Sequence, residues 1–330
     1  MSITKQMQLK KDVTPFEKID AKKSVKQLFT SFVPLVLLWY GSYLSLSVSY
    51  VLSLALGAVA AGFVIRTFII FHDCCHQSFF KNRKANKIIG TIAGAITLTP
   101  YEQWKYSHSV HHATSSNLDK RGIGDIWILT VEEYNAASFW KKLQYRIYRN
   151  PVVMFGLGPV YVFLLLYRFN RRGAKRKERI NTHVTNLLIA ALYALLIWLV
   201  GWQAFLLVQV PVFWLSGAMG IWLFYVQHQF EESYFEKEDE WSYVQAAIEG
   251  SSYYKLPKLL QWLTGNIGFH HVHHLSPKVP NYRLEEAHNA TPPLQRATTI
   301  TLRTSLESLR FKLWDERNRR FVRFKDARAG

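Results

Sequence analysis

The sequence predicts an all-α integral membrane protein, in which two transmembrane helical hairpins carry a helical cap on the cytosolic side. Apolar residues make up 49% of the 330 residues and are grouped into long runs, while the charged residues, 19% of the chain, form separate blocks. The net charge of +18 suits an anionic membrane face. Nine of the twelve histidines fall into three windows of five residues each. The separation of apolar runs from charged blocks excludes a disordered chain, a collagen-like chain and an ordinary soluble two-domain protein.

The first elements are a basic N-terminus and a hairpin. Residues 1–28 hold seven lysines and no small-residue cleavage site, which predicts a cytosolic N-terminus rather than a removable signal peptide. Two apolar runs then follow back to back over residues 29–71, with a soft break around Ser47. They are long enough for two spans, because a span needs roughly 20 helical residues. Arg66 lies in the second run and can snorkel to the interface, either as an anchor or as a functional charge.

A second hairpin is predicted over residues 184–226, with an uncharged turn at Gly201. Between the hairpins, the segment from Arg168 to Arg179 carries seven basic residues, and the positive-inside rule places it, with both termini, in the cytosol. Residues 72–183 and 227–330 are therefore expected on the cytosolic side of a single domain, 1–330. Two shorter apolar runs, near 88–99 and 152–167, are predicted to be re-entrant or interfacial. If only one of these two runs crossed the membrane, the chain after it would change sides and one basic block would lie outside the cell.

The C-terminal segment is also basic. From Arg303 to Arg328 there are nine basic and four acidic residues, interleaved with apolar residues such as Leu306 and Leu313. This pattern fits either an interfacial helix against anionic lipid or a solvated tail. The basic cytosolic face could also dock an acidic protein partner. Nucleic-acid binding is rejected, since the chain has no recognisable nucleic-acid-binding module.

The histidine windows predict a metal site. They read HDCCH from His72, HSVHH from His108 and HHVHH from His270, and the i, i+3 and i+4 spacings direct several rings to one face of a helix. His228, just beyond the last apolar run, is a natural additional ligand. Nine imidazoles exceed the four to six ligands of one ion, which implies two metal ions at the cytosolic membrane surface. The predicted ligands are His72, His76, His108, His111, His112, His228, His270, His273 and His274.

Other polar residues have weaker roles. Asp73 and Asp125 are candidates for fixing the tautomers of ligand rings, although Asp73 could equally be a solvated charge. His271 is interpreted as another such partner or as helix surface, not as a tenth ligand. Cys74 and Cys75 are adjacent, form no disulfide framework and face away from His72, so packing is expected for them. No glycine-rich dinucleotide or phosphate loop occurs, so the electrons for a redox reaction would come from a partner protein.

The longer strings around the histidines point to one family. FHDCCHQSFF, HSVHHATSSNLDKRGIGDIW and GNIGFHHVHHLSPKVPNY, in this order around two membrane hairpins, resemble the membrane fatty acid desaturase family, in particular its Bacillus-type acyl-lipid branch that forms Δ5 double bonds. The resemblance covers nearly the whole chain, and its motif histidines map onto the nine predicted ligands, with His228 as the additional one. One departure is Phe224, where some relatives have an asparagine that holds a metal-bound water.

This resemblance implies an enzyme of the cell membrane. It implies insertion of a cis double bond into a phospholipid acyl chain, two iron ions in a non-haem centre, O₂ as oxidant, and ferredoxin or a flavodoxin-like carrier as electron donor. A related di-iron hydroxylase of lipids or carotenoids stays open as an alternative. A membrane metal-binding or transport protein is disfavoured, since transport ligands are expected near the bilayer midplane and these lie at the cytosolic ends of the spans.

Overall fold

The computed structural model describes residues 3–328, and four of its helices are long and apolar enough to cross a membrane. They form two consecutive pairs, α2 (Ala21–Ser45) with α3 (Tyr50–His76) and α8 (Arg176–Val200) with α9 (Trp202–His228). Gly201 joins the second pair at φ +82°, a conformation that glycine adopts without a Cβ clash. The two predicted hairpins are confirmed, and the helices extend beyond 29–71 and 184–226 at both ends.

The four long helices differ in how far the protein encloses them. In the most apolar window of α3, 56% of the residues are buried inside the protein, compared with 6% for α8. Val51 and Trp198 are more than 70% exposed, as suits side chains that face lipid. Helix α3 packs against α2 and α9, and it carries the first histidine window at its buried end. The central position of α3 is what brings that window into the interior.

Ten shorter α-helices and four short strands build the rest of the described chain. The helices are α1 (Ile3–Val13), α4 (Arg83–Ile96), α5 (Tyr101–Thr114), α6 (Val131–Ala136), α7 (Phe139–Tyr148), α10 (Tyr243–Glu249), α11 (Lys258–Leu263), α12 (His270–Leu275), α13 (Leu284–Ala290) and α14 (Leu302–Ser305). Strands β1 (Tyr253–Lys255) and β2 (Thr299–Thr301) pair in parallel, and β3 (Leu313–Asp315) and β4 (Arg320–Val322) pair antiparallel. The fold is therefore mainly helical, as predicted, with two small sheets added.

Helix α4 corresponds to the apolar run near 88–99. It has 14 residues, too few to cross a bilayer that needs roughly 20. Gly90 and Gly94 let it lie close against Tyr101 and Phe71, while Ile88 on its outer face is 60% exposed. An apolar outer face on a helix of this length suits a position at the membrane interface.

The run near 152–167 is irregular. Two π-helical turns (Val153–Leu157 and Val160–Leu165) and one 3₁₀ turn (Leu166–Arg168) form a segment bent by 63° relative to α7, so that it could be a fifth, broken span or a re-entrant loop. The Trp214 indole on α9 donates to the Gly156 carbonyl at 2.9 Å.

Both ends of this segment contact the histidine end of the molecule. Before it, the Arg149 guanidinium donates to the side chain of Gln229, directly after α9, at 2.7 Å. After it, the Phe169 carbonyl accepts from the side chain of Gln103, in α5, at 3.2 Å. A segment that leaves and rejoins the same end of the molecule favours the re-entrant arrangement.

The C-terminal segment differs from both expectations. The interfacial helix is wrong, because a 3₁₀ turn (Leu306–Arg310) follows α14 and leads into strands β3 and β4. A solvated tail is also wrong, because Leu313 and Trp314 are at most 1% exposed. Three arginines of this segment pair with carboxylates of the cap, as in the 3.1 Å contact between Arg319 and Glu236; the other two are Arg317 and Arg320. Strand pairing and ion pairs to the cap replace the helix that the leucine spacing indicated.

Candidate metal centre

Four helices bring the predicted ligands to one place. The carboxyl-terminal parts of α3, α5 and α9 and the short helix α12 meet there, and all nine predicted ligand histidines lie on them. The i, i+4 spacing works as expected on α3, where the ring centroids of His72 and His76 are 4.7 Å apart. The site is buried, since eight of the nine rings belong to buried residues and His76 to a partly buried one.

Five of these rings form a first group. It contains His72, His76, His108, His112 and His273, and one potential ligand nitrogen from each lies within 4.8 Å of the others. The Nε2 atom of His112 is 3.1 Å from that of His108 and 2.9 Å from that of His273. Only imidazoles contribute to this group.

The other four rings form a second group beside the first. His111, His228 and His274 have their ligand nitrogens within the same 4.8 Å limit. His270 joins them, since its Nε2 atom is 3.0 Å from that of His228 and 3.1 Å from that of His274. The His274 ring stacks on His112 of the first group with centroids 4.3 Å apart. The nine histidines thus divide into neighbouring sets of five and four.

These groups suit metal ions. Burial first, and then the neighbouring imidazoles, lower the pKa of His108, His112 and His273 well below its ordinary value, which leaves these rings neutral at pH 7. Two imidazole nitrogens bound at about 2.1 Å to one ion, at a right angle, are about 3 Å apart, which matches the spacing seen here. The Nε2 atoms of His76 and His111 are buried without a hydrogen-bond partner. An all-imidazole set can hold zinc, iron, copper or nickel.

Two rings of the second group are oriented from outside their own helices. The Nδ1 atom of His111 lies 2.5 Å from a carboxylate oxygen of Asp125, and that of His228 lies 3.1 Å from the carbonyl oxygen of Gly250. With a proton held on Nδ1, each ring turns its Nε2 lone pair toward a bound ion. Gly124 has φ +81°, and a Cβ there would lie 2.7 Å from the Ser107 carbonyl oxygen, so this loop needs a glycine to lie against α5.

The first group has a carboxylate partner too. The Nδ1 atom of His72 is 3.3 Å from Asp73, whose second oxygen accepts hydrogen bonds from the backbone and side-chain nitrogens of Asn281, each at 2.8 Å. Asn281 also bonds to the Gln27 side chain on α2 at 3.0 Å. Asp73 is 2% exposed, so the solvated alternative for it is wrong. No local pattern marks Gln27 as part of the site, and Asn281 contributes to it although only the histidines of the third motif string are predicted ligands.

His271 lies apart from both groups. It is fully buried, so the helix-surface alternative is wrong, and its Nε2 atom is 3.0 Å from Nδ1 of His288 on α13. Burial lowers the pKa of His271 to about 3, so that the pair is neutral. Glu285, on the same helix as His288, forms an ion pair with Lys258 and takes no part in the contact between His271 and His288. His271 therefore joins α12 to α13.

Apolar side chains enclose the metal centre. Trp104 stacks on His108 with centroids 4.1 Å apart, and the Phe224 ring lies 5.2 Å from His111 and from His228. Cys74 and Cys75 are buried and belong to neither group, in agreement with their expected packing role. Burial of the rings lowers the local dielectric constant and so strengthens electrostatic interactions within the site.

The basic loop before α8 fixes α5. Pro100 provides no side-chain cap for α5, and the Asn181 side chain on α8 accepts from the Glu102 backbone N–H at 2.9 Å instead. Glu178, also on α8, is buried and binds the Arg171 guanidinium through both carboxylate oxygens, at 2.8 and 3.1 Å. The loop that the sequence marked only as cytosolic also helps to hold the helix that carries three of the histidines.

Comparison with known proteins gives a consistent result. The model of the fatty acid desaturase family matches residues 16–304. A fatty acid desaturase of Bacillus subtilis (strain 168) is 64% identical over 321 residues, which cover 97% of this chain and 91% of that protein. A chloroplastic omega-6 fatty acid desaturase of Brassica napus is 28% identical over 86% of this chain and 62% of its own length. An sn-1 oleoyl-lipid 12-desaturase of Synechocystis is 29% identical over 68% of this chain and 63% of its own length.

Proposed function

The chain belongs to the fatty acid desaturase family, and from that premise we propose that it inserts a cis double bond at the Δ5 position of membrane phospholipid acyl chains. Members of this family are oxidoreductases that act on fatty acids, and this chain is one of them. The proposal includes O₂ as oxidant, two iron ions as cofactor, and a ferredoxin or flavodoxin-like electron donor. It also places the active site and both termini on the cytosolic side of the cell membrane.

One observation carries the proposal: nine histidines meet as groups of five and four at the end of the membrane helices. Two ions with four or five nitrogen ligands each use all nine rings. The position at the end of the spans suits a substrate whose chain lies in the bilayer. A buried centre suits the oxidation of an alkyl chain, because the reacting methylenes are kept away from bulk water.

The side chains of the site would hold and orient the reactants. Bound iron would supply the oxidising power for an unactivated C–H bond, which carboxylate, serine or cysteine catalysis lacks. Asp125 and Asp73 keep protons on Nδ1 of His111 and His72 and thus fix both rings. The Phe224 ring offers an apolar surface beside the second group, where two methylenes could lie. Overall, two hydrogens leave the chain, and together with two electrons from the carrier and two protons from the solvent they reduce O₂ to two waters.

The start of α2 offers an entry side for those electrons. Lys22 and Lys26 are exposed there and would attract an acidic carrier. Gln27, the next residue, begins a chain of hydrogen bonds that passes through Asn281 and Asp73 to His72. The basic surface and the buried path to the first group thus lie side by side, which supports a soluble carrier as donor.

The lipid profile of a bacterial host that lacks this activity tests the function. The chain would be expressed with and without oxygen, and the fatty acids derivatised and analysed by gas chromatography and mass spectrometry. We expect a new monounsaturated acid with its double bond at Δ5, formed only with oxygen. A hydroxylated product would identify a lipid hydroxylase instead, and a double bond elsewhere would refute the Δ5 assignment.

The sidedness of the membrane has a separate test. A reporter fused after Lys142, in α7, should read cytosolic in intact cells. The same reporter after Gly201, between α8 and α9, should read external. An external signal at Lys142 would mean that the proposed orientation is wrong.

A further inference from the structure

Arg66 is a cation inside a membrane-spanning helix. It lies on α3, is 6% exposed, and its guanidinium stands over the Trp262 ring at 3.9 Å from the centroid. One of its terminal nitrogens donates to the Trp262 carbonyl, and its Nε atom is buried with no hydrogen-bond partner. A buried charge is costly unless it is paired, so it calls for a partner of opposite sign.

The described chain provides no such partner. Within residues 3–328, the contacts of the Arg66 guanidinium are those to Trp262, and no Asp or Glu lies within ion-pair distance of it. The cation–π contact with the Trp262 ring offsets part of the positive charge of Arg66, but it leaves the buried Nε donor unpaired. The unmatched charge indicates an anionic ligand.

The surroundings of Arg66 lie where lipid head groups would be. Helix α11, which carries Trp262, exposes Leu259 by 72% and Trp262 by 41%, although both are large apolar residues. Exposed leucine and tryptophan on a short helix beside a span are typical of the membrane interface. Gly62 on α3 touches Leu263, which fixes α11 against the span at this level.

The metals are close enough to share a substrate with this site. Arg66 precedes His72 by six residues on one helix, which is about 9 Å along its axis. A double bond near the carboxyl end of an acyl chain requires the ester, and with it the head group, to be held close to the metals. We infer that the Arg66 guanidinium binds the phosphate of the phospholipid substrate and so sets the distance between head group and metal centre; this rests on the proposed function.

Equilibrium binding tests the inference without turnover. Full-length protein in detergent would be titrated with fluorescent dipalmitoylphosphatidylglycerol and with the matching dipalmitoylglycerol, which lacks the phosphate. Wild type should prefer the phosphate lipid. Arg66→Gln should weaken binding of that lipid by roughly tenfold or more and leave dipalmitoylglycerol unchanged, since a hydrogen-bonded charge pair is lost. Arg66→Lys, which keeps the charge, should retain much of the preference.

Arg83→Gln is the matched control, because Arg83 is an exposed arginine at the start of α4. It should bind both lipids as wild type does. Equal weakening of both lipids by Arg66→Gln would mean that Arg66 only clamps α11, and an unchanged preference would also overturn the inference. Competition by free glycerol 3-phosphate as strong as by the lipid would indicate a soluble phosphate ligand instead. Because binding needs no electron donor, a failure of the proposed desaturation would be seen separately.

Discussion

The two histidine groups share one metal centre but are held in different ways. In the first group, His72 is oriented by Asp73 at 3.3 Å, which belongs to the same helix. In the second group, His111 is oriented by Asp125 at 2.5 Å from a loop, and His228 by the Gly250 carbonyl just after α10. The orienting carboxylate of the first group therefore lies on the same long helix as His72 and His76, and Asn281 holds its second oxygen. The second group depends on two connecting segments that reach the site from elsewhere in the chain.

This difference indicates which substitutions can disturb each group without unfolding the protein. Helix α3 is enclosed by its neighbours, so the rings it carries are difficult to displace without unfolding the membrane bundle. A loop contact can be removed by one substitution while the helices stay in place. Single substitutions near the second group should therefore change metal binding without unfolding the protein. Their effects report on the orientation of the ligand rings and not on folding.

The largest effect is expected from removing a ligand of either group. His273→Ala in the first group and His111→Ala in the second should each abolish formation of the double bond while the protein still inserts, and His72→Ala should do the same. His111→Ala should also lower bound metal from about two ions per chain to about one, since the three imidazoles left in its group are fewer than the four to six ligands of an ion. His273→Ala and His72→Ala leave four imidazoles in the first group and should weaken metal binding there. Fatty acid analysis and elemental analysis of purified protein measure both quantities.

His183→Ala is the control for these variants, because His183 is exposed on α8. It should retain activity and both ions. Turnover by the ligand variants at normal protein level would refute the ligand assignment. Equal loss of both ions from each variant would mean that the two groups are not independent.

Asp125→Asn should have the next largest effect. The amide does not keep the proton on Nδ1 of His111 as a carboxylate does, so metal affinity should fall by about 10–100-fold. Asp73→Asn should have a smaller effect, because its contact with His72 is longer and the amide oxygen can still accept from Asn281. Chelator competition measures both affinities. The reverse order would contradict the proposed dependence of the second group on its loop.

The sequence predicted the parts of the centre that follow a local period. Spacings of three and four residues identified histidines that the structure brings together, and apolar runs identified the hairpins, because both depend only on the geometry of one helix. The contact between Asp73 and Asn281 joins residues 208 positions apart, and His271 finds His288 on another helix. Such pairs depend on tertiary packing, which no local period encodes. The same limit explains the C-terminal leucines, whose helical spacing is overridden by the pairing of β3 with β4.

A smaller effect is expected from Gly124→Ala. Gly124 has a φ of +81°, and an added Cβ would lie too close to Ser107 and His111. The loop should therefore shift and move Asp125 away from the His111 ring. Gly122→Ala is a matched control, since it has φ +118° but open space around it. Both should lose about 1–2 kcal/mol of stability from backbone strain. Only Gly124→Ala should also weaken metal binding, and an equal change of metal affinity in both variants would contradict this role of the loop.

Acidification is expected to produce the smallest difference in metal affinity between the two groups. Burial lowers the pKa of His112 and His273 in the first group and of His270 and His274 in the second well below the ordinary value. Because these folded-state pKa values are depressed, the rings stay neutral between pH 7.5 and 6, and protons compete little with metal. Affinity measured by chelator competition should therefore fall by less than about tenfold in either group over this range, taking an ordinary histidine pKa of about 6.5.

The metal-free protein should respond differently. Its unfolded state takes up protons as the pH falls through the ordinary histidine pKa, while its folded state does not. The stability from these neutral rings is therefore present above about pH 6.5 and is lost as the pH falls below it. Thermal unfolding of metal-free protein should shift to lower temperature at pH 5.5, and protein loaded with metal should shift less, because bound metal stabilises the folded state. Metal-free protein that is equally stable at pH 7.5 and 5.5 would show that the two groups do not exclude protons.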